Sequence, residues 1–448
     1  MMTSTGPGKT KNPLEAALPL DAAGAAAKIR SNRLIRFYFN HLKKYRAIEW
    51  LASHAWHSAY ILYRFAWIHR RSLQRPLIRL SALAGNRDVF QLTKAESVMT
   101  PPPSVFPAEG ATCLVPPHLE YRFPEIAITP IPEALATGGT NLVMTSDAVI
   151  CHDLYDFARD YTSEELNGRA YIWPDQNRIA WLMHTAPRQV LDRAACFTDA
   201  CATNYAHWMT EVLPRINLFC SSTLSIDVPI VVNDGLHRNI MESLGLVAGH
   251  SRKIIAVPTS TAVKAGLLYV TSAAGYVPFE RRTNRLKNHS HGLFSPSALI
   301  SMRDRLMNRL GSTSCENARH IVIRRNSAIR NISNAREIEE MLVARGFTVI
   351  EPEHLSFAEQ VEAFTNAETV VGATGAAFAN LLFCKPQTRI IIMISDYRHM
   401  PYWYWQNMAC AVGNKITYVL GKCMDRFPHI HSNFAVTPTD VLDAIKQA

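Results

Sequence analysis

No stretch of this 448-residue chain is apolar enough to cross a bilayer cleanly. The richest, Ala47 to Ile68, is interrupted by Glu49, His54, His57 and Arg64. The first 30 residues lack the continuous apolar core of a secretory leader. The 9 cysteines form no Cys-x-x-Cys pair and no Cys/His cluster at zinc spacing, and even Cys196 and Cys201 fit no metal template. They read as mostly buried thiols of a reducing compartment. Asp-x-Asp, the spacing that commonly holds a divalent cation against a sugar diphosphate, occurs nowhere. Nor is there self-similarity at a solenoid period.

What is present is the composition of a folded protein, 48% hydrophobic and 19% charged, in a chain long enough for two domains with extensions. The net charge of +10 is unevenly spread: residues 1–80 hold 14 Lys and Arg against 3 Asp and Glu, so the remaining 368 residues sum to −1. A polyanionic surface suits such a basic segment, anionic lipid before nucleic acid, with a solvated tail as the alternative. Trp50, Trp56, Tyr60, Tyr63, Phe65 and Trp67, followed by Arg70 and Arg71, suit a helix lying in a membrane interface; equally, that helix packs on the protein's own surface.

Three segments follow from the patterning. Residues 1–97 read as a basic, partly flexible helical extension, with helices over 31–84 and a proline-rich stretch after residue 98. Residues 98–296 read as a first α/β domain, with a helix near 204–219, strands at Val228–Val232 and Lys253–Val257, a helix at His237–Leu244 and a further strand at Leu267–Thr271. Residues 272–296 read as a loop and junction. In 297–448, short apolar strands alternate with helices: His320–Arg324, Ala335–Arg345 ended by Gly346, Phe347–Glu351, a helix opened by Ser356 with Glu359 as capping partner, Glu368–Val371, Arg389–Ile394, Pro401–Val412 and Ile416–Leu420. Such alternation demands parallel strands with crossover helices, and ligands then bind beyond the carboxyl ends of the strands.

Three constellations carry chemistry. In Asn204–Arg215, Asn204 caps a helix and His207, Glu211 and Arg215 fall at i, i+4 and i+8, a base, an acid and a cation on one face. The competing reading is a surface salt-bridge ladder. Arg324 and Arg325 end a strand with Arg330 just beyond; guanidinium groups match phosphate geometry and stabilise a leaving diphosphate without a metal. Otherwise they are solvated surface arginines. Gly372 to Asn380 is a small-residue turn entering an apolar helix, where backbone N–H groups of Thr374, Gly375, Ala376 and Ala377 meet a phosphate, or where helix simply packs tightly on sheet. It is neither a Gly-x-Gly-x-x-Gly fingerprint nor a P-loop.

In this order and spacing the constellations resemble glycosyltransferase family 61. Residues 204–215 match its Asn-Tyr-x-His-Trp-x-x-Glu-x-Leu-Pro-Arg signature. Arg324, Arg325, Arg330 and Asn334 match its Arg-rich turn, and Leu355–Gln360 with Gly372–Phe383 match its third block. The resemblance implies a GT-B-like α/β architecture: two facing Rossmann-like domains, the first on the acceptor side and the second binding the nucleotide sugar, plus the basic helical extension. It implies an inverting, metal-independent transfer from a UDP-sugar, with no cofactor, to a glycan or lipid-linked acceptor, in bacterial surface or capsular polysaccharide synthesis. The enzyme would sit in the cytoplasm, with a peripheral contact to anionic membrane through residues 31–80 and no nucleic-acid partner. His207 is then the expected base, with Glu211 as its orienting partner or substitute. Arg324, Arg325 and Arg330 with the Gly375–Ala377 backbone hold the diphosphate, Asn380 anchors the loop or the nucleotide, and Asn204, Arg215 and Asn334 support. Thr374 and Ala377 replace the family's usual His and Gly, and Met393 lies near where a glutamate often falls. These departures are the support for a rival reading, a degenerate transferase that binds nucleotide or glycan without catalysis; the retained His207, Glu211 and arginines argue against it. A nucleotide-sugar epimerase of similar architecture is a third reading.

Overall fold

The computed structural model describes residues 74–447 apart from 85–87, 114–119, 183–185, 225–226, 250, 260, 279, 282–291, 312–317, 328, 398–399, 401–402 and 426–429. The basic helices and aromatic stretch expected before residue 74 lie outside the described residues. The chain is a mixed α/β fold, and among the described residues eleven strands form one sheet and seven a second.

The second sheet is the simpler. In space its strands run Thr348–Ile350, His320–Ile323, Thr369–Ala373, Arg389–Ser395 and Ile416–Cys423, all parallel. Near-continuous Val and Ile make these strands apolar on both faces, as helices covering both sides require. Thr369–Ala373 is buried at every position. In chain order the arrangement is 2-1-3-4-5, so the direction of winding reverses between His320–Ile323 and Thr369–Ala373. Such a reversal opens a crevice at the carboxyl ends of those two strands. The short strand Phe434–Ala435 closes the sheet antiparallel to Ile416–Cys423. The capping box forms as the spacing predicts: the Ser356 hydroxyl takes the Glu359 amide, and the Glu359 carboxylate takes the Ser356 amide.

In the first sheet a parallel portion comprises Thr261–Thr271, Ala186–Cys196, Ile230–Asn233 and Ile254–Val257. Ile126–Thr137 runs antiparallel to Thr261–Thr271 and leads to further short strands. Gln74–Arg79 corrects the expected helical extension, being a strand paired with Val149–Cys151 and Arg178–Trp181, whereas Leu80–Ala84 is helical. Of the six strand residues only Leu77 is buried, so the strand leaves no period-two signal to outweigh the basic composition around it. The proline-rich stretch crosses over: Ser104–Phe106 joins the second sheet beside Ile416–Cys423. The junction expected at 272–296 holds the short strands Gly275–Tyr276 and Leu293–Phe294, and Pro296 opens a helix to Leu310.

One buried apolar cluster runs from Phe197, Trp208 and Leu213 on the first side to Ile323, Phe378 and Ile392 on the second. Polar pins cross the same boundary. The Glu242 carboxylate accepts the Phe357 and Ala358 amides at the N-terminus of helix Phe357–Asn366, where negative charge is favoured. Among the described residues no helix is long and apolar enough to cross a membrane, and the seven cysteines described are all free thiols.

Candidate active site

The helix carrying the first constellation is not regular. It starts at Tyr205–His207, with Asn204 Oδ1 accepting the Ala206 amide as its cap. It widens into a π-turn over Trp208–Val212 and resumes as Leu213–Ser221. Pro214 explains the break: its missing N–H leaves the Thr210 carbonyl without its helical donor. Gly275 packs against that carbonyl so closely that a Cβ there would overlap the oxygen. π-turns of this kind are frequent at functional sites.

Within this turn His207 Nδ1 and Glu211 Oε2 lie 3.0 Å apart, their side chains 12% and 11% exposed. Burial works to lower the His207 pKa, but the Glu211 charge and hydrogen bond, with Asp199 behind, outweigh it and hold the imidazole above its ordinary 6.5. Burial in turn raises the Glu211 carboxyl, and His207 offsets this only in part. The two behave as one unit sharing a proton. The Val277 amide lies close enough to favour the charged carboxylate, yet no described donor closes a full hydrogen bond on the buried Glu211 Oε1. Arg215 stays on the side of Glu211 but turns its charge to Asp199 and not to the dyad. Its Nε donates to the Glu211 carbonyl at 2.8 Å, and its other end reaches Asp199 Oδ2 at 3.5 Å.

Glu211, Arg215 and Asp199 line a crevice with Asn141, Tyr155 and Tyr276. It has about 470 Å³ of atom-free space, counting its open mouth. It sits beyond the carboxyl ends of Ala186–Cys196 and Thr261–Thr271, the ligand position of a parallel sheet. Sequence reasoning missed Asn141, Tyr155, Asp199 and Tyr276, because they come from four separate loops and strand ends and share no local spacing. Only the strand-end position of Asp199, three residues after Cys196, offered a signal.

The arginines separate. Arg324 was expected to meet a phosphate, but its guanidinium pairs with Glu339 at 2.7 Å and Glu351 at 2.7 Å, and these bonds raise its pKa. It ends its strand facing the helix that carries Glu339, whereas Arg325, the next residue, faces the opposite way, as alternation along an extended chain dictates. Arg325 lies over Gly375, where a Cβ would collide with its guanidinium. It donates to the Ile329 carbonyl and the Ser327 hydroxyl. Burial first, and then the charge of Arg330, push its pKa down to about 10. Burial also lowers Arg330, whose Nε has no hydrogen-bond partner among the described residues. Arg330 holds a left-handed backbone, φ 57°, pinned by its amide to the His431 carbonyl; such strain costs about 1–3 kcal/mol. Arg325 and Gly375 therefore meet in the crevice where the strand order reverses.

The small-residue turn runs into the 3-10 helix Ala376–Phe383. The Thr374 hydroxyl accepts the Trp405 indole N–H at 2.9 Å. Trp405 packs edge-on against Tyr404, whose ring lies 6.3 Å from that of His207. That chain of contacts connects the dyad to the turn. Asn380, expected to anchor loop or nucleotide, is fully buried and committed to protein. It accepts the Tyr205 phenol at 2.6 Å and donates to Gln360 at 2.8 Å. Asn334 also lies apart, bonded to Glu337 and to both backbone groups of Val436. Met393 is buried in the core of the second sheet. Among the described residues Glu351, Glu353 and His354 bring possible metal-ligand atoms within 4.8 Å of one another, but Arg324 and Asn326 already occupy the two carboxylates.

No curated protein matches the chain. A family model described as Glycosyltransferase 61 matches residues 205–391. That span contains His207, Glu211, the arginines and the Gly375 turn, and leaves out Asn141, Tyr155 and Asp199. The span that holds the dyad and the arginine crevice thus matches glycosyltransferase family 61, and this match supports glycosyltransferase activity.

Proposed function

We propose that the protein is an inverting, metal-independent glycosyltransferase of GT-B-like arrangement that takes a UDP-sugar and works in bacterial surface or capsular polysaccharide synthesis. The observation that carries this reading is Arg325, seated over Gly375 at the strand-order reversal with the charge of Arg330 acting on it, both side chains half-buried. Two like charges near each other and partly withdrawn from water gain from an anion between them, and a diphosphate supplies it. The Gly375–Ala377 amides open a short helix there, adding donors.

His207 accepts the proton of the acceptor hydroxyl at Nε2 while Glu211 holds Nδ1–H. The freed oxygen attacks the anomeric carbon, the bond from that carbon to the diphosphate oxygen breaks, and its electron pair leaves with UDP. Arg325 and Arg330 stabilise the charge as it develops, the step a cation serves in other transferases. The aromatic contacts from His207 through Tyr404 and Trp405 to Thr374 join the two parts of the site through packed side chains.

Calorimetry with UDP tests the reading. Arg325→Ala and Arg330→Ala should each weaken binding roughly tenfold or more, as loss of charge-assisted hydrogen bonds does, while Arg324→Ala leaves it within about twofold. Equal losses from all three, or none, would sink the assignment. If UDP binds but no UDP-sugar is hydrolysed or transferred, the degenerate-binder reading replaces this one.

A further inference from the structure

The crevice beside Glu211 carries more than the reaction type. Two of its lining residues present buried polar atoms on which no described donor or acceptor closes a full hydrogen bond: Glu211 Oε1, on a carboxylate that the Val277 amide approaches, and the Tyr276 hydroxyl. Buried polar groups are normally satisfied, so each orphan marks a missing ligand group or a standing cost. Tyr276 stays an O–H donor, since burial, then the Asp160 charge and, further down, that of Glu211 raise its phenol. Its ring packs edge-on against Tyr155 and His152, both 5.3 Å away. His152 is no cation here: burial and the Arg215 charge push it down to about 3. Asp199 and Glu211 thus put two carboxylates in the lining against one guanidinium, Arg215, which Asp199 already faces. Inside its mouth the crevice is narrow, on the scale of a single water-sized group such as one sugar hydroxyl.

We propose that this crevice receives the hydroxyl-bearing edge of an uncharged acceptor sugar, with Tyr276 and Glu211 Oε1 binding its hydroxyls, and that it rejects acceptors carrying a carboxylate. The inference rests on the dyad reading above. Glu211 then uses one oxygen to hold His207 and the other to hold the acceptor. A neutral hydroxyl satisfies an orphan acceptor and an orphan donor at once, whereas a carboxylate would be buried against Asp199 and Glu211 at the cost of like-charge repulsion. Because the phosphate-facing arginines lie on the Thr374 side of the dyad, the occupant is the acceptor and not the sugar of the donor.

The test uses the full chain and needs no turnover. Saturation-transfer NMR is run with methyl glycosides of glucose, galactose, mannose and xylose, and with methyl glucuronide. At least one neutral glycoside should bind in the presence of UDP, and the glucuronide should not. Tyr276→Phe keeps the ring and removes the hydroxyl; it should weaken that binding roughly three- to tenfold. UDP affinity measured on the same sample shows that the variant is folded. Binding of the glucuronide as tight as that of the neutral sugars, indifference to Tyr276→Phe, competition of the glycosides with UDP-sugar, or no glycoside binding at all overturns the proposal. UDP binding is read separately, so the donor site can stand while this one falls.

Discussion

His207 lies under two opposing influences, burial that favours its neutral form and the Glu211 carboxylate that favours its charged one, and the carboxylate prevails. As a base it must be neutral, so transfer should rise with pH through an inflection above 6.5. Glu211→Gln removes the charge but keeps the shape. Burial then dominates, and the inflection should move to lower pH while kcat falls. A pH–rate profile of both proteins checks this, and an unmoved inflection would mean that the pair does not take the proton. His207→Ala should cut kcat roughly 10²–10⁴-fold while calorimetry finds UDP binding within about twofold. Near-normal turnover in that variant would end the role given to the imidazole.

At the scale of elements, the π-turn decides the geometry. In an unbroken helix Pro214 would leave the Thr210 carbonyl stranded; the turn and the close approach of Gly275 accommodate it. The same Gly275 precedes Tyr276, so the device that settles the helix also sets one wall of the crevice. Gly275→Ala forces a methyl into the Thr210 carbonyl. It should destabilise the protein by about 1–3 kcal/mol, as overpacking does, and raise the acceptor KM more than the donor KM. Denaturant melts and two-substrate kinetics check both, and a fully stable variant with unchanged KM values would show that the approach is not tight. The spacing of His207 and Glu211 was legible because i and i+4 neighbours meet on a helix even when a π-turn begins between them. The aim of Arg215 was not legible, since its carboxylate partner Asp199 lies in a separate loop.

At the scale of the molecule, a single apolar cluster and a few polar pins join the two sheets. The buried chain Tyr205–Asn380–Gln360 is one such pin. Asn380→Ala leaves a phenol and a carboxamide oxygen unpartnered and should cost about 2–4 kcal/mol. Because the core is shared, unfolding followed by far-UV dichroism and by tryptophan fluorescence should give coincident curves in the wild type. Separate transitions would show that the halves fold independently.

The parallel second sheet was readable from the chain because strands buried on both faces must be runs of Val and Ile, and alternation with helices allows few topologies. The helix caps were readable too, since Ser356 with Glu359 and Asn204 with Ala206 act within a few residues. The dyad is likewise local. Tertiary structure alone decided which arginine is available. Arg324 and Arg325 are neighbours with the same side chain, and only the distant Glu339, Glu351 and Gly375 set one in an ion pair and the other over the turn. It also decided the crevice, whose residues come from loops far apart in the chain and meet only because parallel strands deliver their carboxyl ends to one side. Local patterning encodes what is settled within a turn or two of the chain; charge neutralisation and cavities depend on partners that only the folded chain brings near.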